Sequence, residues 1–421
     1  MLHINKLREN KDSYIALLKV KNIDATDLMT NAIAKDDERK ATQQKADELL
    51  SKGNQLAKQI GELYKTGKAT EANVLKEESS LIKESSKALQ AKQTELEKEI
   101  QDILVQIPNV PHPTVPAGKS DADNVCIKEV GEIPTLMEGA KPHWELTTDY
   151  GLIDFELGNK ITGAGFPVYI DKGARLQRAL IAYFLDKNIA AGYTEYLPPH
   201  LVNEASGFGT GQLPDKEGQM YHATEDNLYL IPTAEVPVTN FFRDVIVKEF
   251  PIKCTAYTPC FRREAGSYGK EVRGLNRLHQ FDKVEIVQIQ HPEKSYETLD
   301  VMVKHVASIL DELELPYKIL QLCGGDLSFT AALTFDFEVY SAGQERWLEV
   351  SSVSNFESYQ ANRLKLRYKD ENGKTQLCHT LNGSALALPR IYAALIENNQ
   401  TAEGIKIPKA LQPYTGFDII K

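Results

Sequence analysis

No apolar run in this 421-residue chain approaches the roughly 20 residues that span a bilayer. Its opening, MLHINKLREN, holds no hydrophobic stretch of the kind that directs export. Neither a membrane partner nor a secretory route is expected. Cysteine is scarce: the five at 126, 254, 260, 323 and 378 form no CxxC pair, and an odd number argues against a full disulfide framework. A reducing, cytoplasmic location follows. No Cys/His set has zinc spacing, so no structural zinc is expected. The P-loop pattern is missing, and the nearest dinucleotide-like stretch, from Gly163 to Pro167, lacks a third glycine. GxSxG and HExxH are missing as well, which argues against a dedicated hydrolase. A formal net charge of −10 leaves no global nucleic-acid signal, so any such contact must use local basic patches.

Aromatic residues are missing where they would be needed for a core. Between Tyr14 and Trp144 the only one is Tyr64. A long helical arm needs none. Leu75, Ile82, Leu89, Leu96 and Ile103 recur at seven-residue spacing, with Ala72, Ser79, Ser86, Gln93 and Ile100 at the companion positions. Leu49, Leu56 and Leu63 repeat likewise, with Ala46, Gly53 and Ile60 between them. This is a coiled-coil heptad. The segment around Gly67 gives a turn, so two helices of roughly 55 Å each fold back antiparallel. Alone, the pattern reads equally well as a dimerisation or spacer arm. Prolines 108, 111, 113 and 116 then end the helix and begin a stiff linker. Two domains are expected, 1–110 and 111–421.

In the second domain aromatics return and strands mix with helices, which suggests an α+β fold on an antiparallel sheet. Its centre is Thr255 to Gln288. Two alternating strands flank a loop from Arg262 to Arg277 that carries five Arg/Lys (with Lys270 and Arg273 at its tip) and two Glu. Period-two alternation puts Arg262 and Glu264 on one face, and Phe281, Lys283 and Glu285 on one face of the return strand. Arg262 suits a phosphate, Glu264 an amino group and Phe281 a stacked base. A surface ladder of Arg and Glu would read the same way. Glu349 and Ser352 offer oxygens for Mg2+, Thr233 and Glu235 alternate onto one face, and Arg390 opens a helix behind a glycine-containing turn.

Taken in order, these pieces resemble a bacterial-type seryl-tRNA synthetase, a class II aminoacyl-tRNA synthetase, over essentially the whole chain. GYTEYLPPHLV is similar to class II motif 1 (about 192–203), FRREAGS and RGLNRLHQFDKVE to motif 2 (about 255–288), and LNGSALALPR to motif 3 (about 380–396). IPTAEVPVTN and GFGTGQLP are marks of the seryl subgroup. Arg263, where Ser is more usual, and ALPR in place of AVGR are departures that leave the matched functional side chains in place.

The resemblance implies activation of L-serine by ATP and transfer of the seryl group to tRNA(Ser), and to tRNA(Sec) where that is present. It implies a homodimer and a helical arm that grips tRNA. It places Arg262, Arg263, Glu264, Phe281, Glu349, Val350, Ser351, Ser352 and Arg390 on ATP, with Arg262 and Arg390 catalytic. Thr233, Ala234, Glu235, Glu285 and Ser384 would bind serine, and Glu349 and Ser352 would hold Mg2+ with ATP.

Overall fold

The computed structural model describes residues 1–215, 218–264 and 273–421, so positions 265–272 of the expected basic loop, Lys270 among them, lie outside the described residues. The chain forms two compact units. One comprises residues 1–19 and 23–108, the other residues 20–22 and 109–421.

In the first unit, helices α1 (Thr26–Lys65) and α2 (Ala69–Leu104) pair lengthwise, and Gly67 turns between them at φ +77°. The heptad is where the sequence writes it. Ala46, Leu56, Ala72, Ile82, Ser86, Leu96 and Ile100 are buried along the seam. Ion pairs Lys35–Glu99, Lys92–Glu38 and Lys52–Glu78, each at 2.7 Å, cross it and report the antiparallel register. Being exposed, each contributes at most about 1 kcal/mol, so the apolar seam carries the stability. At the base of the arm the buried Asp36 carboxylate meets Arg8, Arg39 and Lys40 at 2.8–2.9 Å.

The second unit is built on eight strands: β1 (Val125–Val130), β2 (Thr194–Tyr196), β3 (Ile252–Phe261), β4 (Gln280–Gln290), β5 (Tyr317–Gln321), β6 (Leu333–Ser341), β7 (Arg346–Asn355) and β8 (His379–Ala387). Their order is β1-β5-β6-β7-β8-β4-β3-β2, and every neighbouring pair is antiparallel but β2–β3. The other helices that matter are α3 (His143–Asp149), α4 (Asp171–Ala190), α5 (Glu235–Asn240), α6 (Ser295–Glu312), α7 (Ser358–Leu364) and α8 (Leu388–Asn398). Leu176, Leu180 and Phe184 of α4 share one core with Leu299, Met302 and Val306 of α6 and Ile391 and Leu395 of α8. Among the described residues no helix is long and apolar enough to cross a membrane.

Two segments that border the first unit in sequence are seated on one loop. Lys21 Nζ donates to the carbonyls of Ser328 and Ala331, and the Asn109 N–H donates to that of Phe329 at 2.9 Å.

The glycine-containing turn expected before Arg390 is absent. β8 runs straight through Gly383 into α8. A Cβ there would lie 3.2 Å from Val353 on β7 and 3.4 Å from Ile286 on β4. That glycine serves close packing between strands, which local sequence does not distinguish from a turn.

Candidate active site

The hairpin of β3 and β4 pairs without a register break, with Phe281 opposite Cys260, Lys283 opposite Thr258 and Glu285 opposite Ala256. Phe281, Lys283 and Glu285 therefore share a face, as expected. The partner strand departs from expectation. β3 stops at Phe261, the Arg262 N–H donates to the His279 carbonyl at 2.9 Å, and the Arg263 N–H donates to that of Gln219 at 3.0 Å. Glu264 then turns into the left-handed region at φ +48°. The Arg262–His279 bond still continues the β3–β4 register, so the chain leaves the sheet at Arg263, and strand alternation does not relate Arg262 to Glu264. The Arg262 guanidinium lies over the Phe281 ring at 5.2 Å, and Arg263 lies over Tyr221 at 5.9 Å. Arg277 donates to the Glu264 carboxylate at 3.0 Å.

Beside this hairpin is a small polar pocket. The Glu285 side chain, 1% exposed, accepts from Lys283 Nζ at 2.7 Å, Thr233 Oγ1 at 3.3 Å and Asn382 Nδ2 at 3.1 Å. Glu235, also buried, accepts from Gln360 Nε2 at 2.7 Å. Burial, then the neighbouring Glu285, pushes the Glu235 carboxyl up to about 7. Two carboxylates against one ammonium leave the pocket short of one positive charge. Thr233 and Glu235 meet here by a route other than strand alternation: Glu235 is the first residue of α5, and its N–H donates to Thr233 Oγ1 at 3.2 Å. Ser384 stands opposite Glu285 on β8. The Ala234 side chain packs instead with Val238, Cys254, Ala256 and Val287, so only its backbone is available to the pocket.

A third cluster sits on β6 and β7. Asp336 pairs with Ser352 and Glu338 with Glu349, the ladder slipping by one residue at Val350. In a regular strand Glu349 and Ser352, three apart, would face opposite ways. The bulge brings both to the face of Asp336 and Glu338. Burial, then Glu349, holds the Asp336 carboxyl well above the usual carboxylate range and raises Glu338 in the same way. Val350 points into the main core and the Ser351 hydroxyl donates to the Ser384 carbonyl at 2.5 Å, so these two offer a ligand only backbone. Arg390, in the first turn of α8, donates to the carbonyls of Asn276 at 3.1 Å and Glu349 at 2.8 Å. Burial lowers its proton affinity. Glu349 opposes that, and Arg277, Arg262 and Glu264 also act on it, which gathers these charges into one neighbourhood.

Asp336, Glu338, Asn382 and Gln360 were not among the candidate residues. Each joins these clusters across a strand pair or from another helix, and the local signals were the alternation in FDFE and, for Asn382, its place in LNGSALALPR.

Comparison with known proteins gives two family-model matches: the seryl-tRNA synthetase N-terminal domain over residues 1–111, and the tRNA synthetase class II core domain (G, H, P, S and T) over residues 219–399. The serine–tRNA ligase of Salinibacter ruber is 48% identical, covering 99% of this chain and 98% of its own length. That of Akkermansia muciniphila is 47% identical over 100% and 99%. Among solved structures, seryl-tRNA synthetase from Pyrococcus horikoshii complexed with ATP superposes with a TM-score of 0.92 at 32% identity, covering 100% of this chain and 99% of its own.

Proposed function

Because the chain belongs to the seryl-tRNA synthetase family, we propose that it joins L-serine to ATP as seryl-adenylate, releasing pyrophosphate, and then passes the seryl group to tRNA(Ser). The observation that carries this is the pocket of Thr233, Glu235, Lys283 and Glu285 next to the Arg262–Phe281 pair. A carboxylate excess meets an amino acid's ammonium, Lys283 meets its carboxylate, and Thr233 with Ser384 meets a hydroxyl. A pocket built to hydrogen-bond a hydroxyl rejects alanine by roughly 10⁴-fold or more, since its polar groups would be left unpaired.

The serine carboxylate is ionised at neutral pH, so its attack on the α-phosphorus needs no protein base. The bond to pyrophosphate breaks as the new P–O bond forms, and catalysis is alignment plus charge stabilisation. Arg262 is assigned to the α-phosphate and Arg390 to the γ-phosphate. Phe281 is assigned to the adenine ring and Glu264, one oxygen held by Arg277, to its amino group. Arg263, Val350 and Ser351 line the nucleotide, the last two through their backbone. In the second step a terminal ribose hydroxyl of tRNA displaces AMP from the adenylate carbonyl.

Glu349 and Ser352 are assigned to Mg2+, and the site suits it. The donors are hard oxygens, and Asp336 Oδ1 is buried without a hydrogen-bond partner among the described residues. Among those residues no three His, Cys, Asp or Glu are arranged to hold a metal by themselves. Bound there, Mg2+ neutralises triphosphate charge.

The arm is assigned to tRNA. It carries 13 Lys/Arg and 14 Asp/Glu between residues 26 and 100, so its grip depends on which lysines are left to face RNA. Lys35, Lys52 and Lys92 are held by glutamates, whereas Lys45, Lys58, Lys83 and Lys87 stand exposed. A homodimer is assigned through the β2 edge, where Leu197 is 81% exposed beside the Tyr196–Phe241 contact. The five free thiols suit a cytoplasmic location.

The test is ATP–pyrophosphate exchange across a panel of amino acids. Serine is expected to support the fastest exchange, and preference for threonine or proline would overturn the reading.

A further inference from the structure

The side-chain amide of Gln360 has a single orientation that satisfies its neighbours. Gln360 lies on α7 and is 1% exposed. Nε2 donates to Glu235 Oε1 at 2.7 Å and to the Thr210 carbonyl at 3.1 Å, while Oε1 accepts from Thr380 Oγ1 at 2.7 Å. A backbone carbonyl only accepts, so a flipped amide would set oxygen against both Thr210 and the Glu235 carboxylate. Three contacts from three elements thus fix one donor on one carboxylate.

We propose that Gln360, locked by Thr380 and Thr210, is a positioning residue of the amino-acid pocket, aiming the Glu235 carboxylate at the substrate's ammonium. This rests on the reading of that pocket as the serine site. The residue types are suited to the task. Glu235 is 6% exposed and needs a donor that does not itself neutralise it. A cation in place of Gln360 would cancel the charge meant for the substrate, whereas an amide orients the carboxylate and leaves its charge in place. The charged groups facing Glu235 are Glu285, which disfavours its ionised form, and Lys283, which favours it, both from β4. Asn382 from β8 and Gln360 from α7 add neutral donors. With the carboxyl already pushed up to about 7, loss of one donor moves it further up, and its charge disappears at a higher pH.

The experiment is serine-dependent ATP–pyrophosphate exchange by the full-length protein, followed from pH 6.5 to 8.5, with Gln360→Met and Thr380→Val compared with the parent. Met keeps the length and removes the donor. Val keeps the shape of Thr and removes only the hydroxyl that locks the amide. For Gln360→Met the KM for serine should rise, and the rise should be about tenfold larger at pH 6.5 than at pH 8.5, one pH unit of displacement being a factor of ten. Thr380→Val should shift it in the same direction by less, and KM for ATP should stay at the parent value in both. A serine profile in Gln360→Met that overlays the parent's overturns the proposal. So does KM for ATP rising in step, which marks general loss of packing. Should Gln360→Met not fold, Thr380→Val decides alone by the same criterion. If the parent shows no serine-dependent exchange, the serine reading itself falls and the proposal with it. Serine-dependent exchange with an unshifted profile removes only the role of Gln360.

Discussion

His143 donates from Nδ1 to the Glu397 carboxylate at 2.7 Å, with both side chains fully buried. The other ring nitrogen, Nε2, accepts the Leu275 N–H at 2.9 Å, which places the imidazole proton on Nδ1. Glu397 also accepts from the His143 N–H, from Ser341 Oγ and from Gln344 Nε2, so four donors share its two oxygens. The relay ends beside a residue assigned to ATP. Asn276, the next residue after Leu275, presents its carbonyl to Arg390, and Gly274 leaves room for the ring, since a Cβ there would sit 2.2 Å from His143 Nε2. Both ends of the α8 helix therefore hold Leu275 and Asn276, Arg390 directly and Glu397 by way of His143.

Glu397→Gln sets an amide N–H2 among donors that all need an acceptor. Each buried group left unsatisfied costs about 1–3 kcal/mol, so a loss of roughly 3 kcal/mol is expected in urea unfolding, together with a raised KM for ATP through Arg390. Unchanged stability would show that the four donors find other acceptors.

Lys21 gives a pH dependence with a definite sign. Burial pulls its ammonium from the ordinary 10.5 down to about 7. Between those values the unfolded chain holds more protons, so stability rises with pH from 7 to 10.5 and is least below 7. The slope is at most about 1.4 kcal/mol per pH unit. Lys21→Met should flatten that slope, which urea midpoints at pH 7, 8 and 9 would reveal as a parent-minus-variant difference. A difference independent of pH would refute it.

How far the sequence could be read depended on whether a feature was written locally. The arm was legible because a seven-residue period is visible in one segment, and Ala46, Leu56, Ala72, Ile82, Ser86, Leu96 and Ile100 of that period are buried, whereas the buried Met29, Ala32, Asp36 and Thr42 near its base lie outside the positions named from it. The β3–β4 hairpin was legible for the same reason at period two. Reading failed where the ladder breaks. The slip at Val350 that unites Glu349 with Ser352, the exit of the chain after Arg262, and the helix start that joins Thr233 to Glu235 all depend on partners elsewhere. The candidate residues came from the motif resemblance, which carries side chains but not the backbone devices that bring them together. Asp336 and Gln360 belong to no quoted motif and become visible only as neighbours in space, and Asn382, though inside LNGSALALPR, shows its bond to Glu285 only there.

Arg262 is assigned to the α-phosphate, where negative charge develops. Removing one such donor costs about 10²–10³-fold in rate, and Arg262→Ala should lose exchange by that order. Arg262→Lys should recover little, because a point charge does not reproduce a planar two-pronged donor. Stability should hold in both variants, since Arg262 is only half-buried and lies over one ring. Near-parental exchange in Arg262→Ala would refute the assignment.

The arm can be tested without disturbing its base. Lys35–Glu99, Glu38–Lys92 and Lys52–Glu78 set the register, so positions near 45 and 85 face each other across the seam. Paired helices lie about 8–10 Å apart, a gap that four extended residues span. Excising residues 46–84 and bridging Lys45 to Ser85 with a short glycine–serine loop removes the outer arm as a closed piece, because its apolar positions face one another. Asp36 keeps Arg8, Arg39 and Lys40, so the base retains its buried ion cluster. Serine-dependent pyrophosphate exchange should stay near the parent rate, since every residue assigned to ATP and serine lies beyond position 230. Charging of tRNA(Ser) should fall by orders of magnitude, with the loss in KM for tRNA if the arm supplies binding, as RNA recognised by shape and backbone requires. Equal loss of both activities would make the arm part of the catalytic fold instead, and full charging would remove tRNA from the arm altogether.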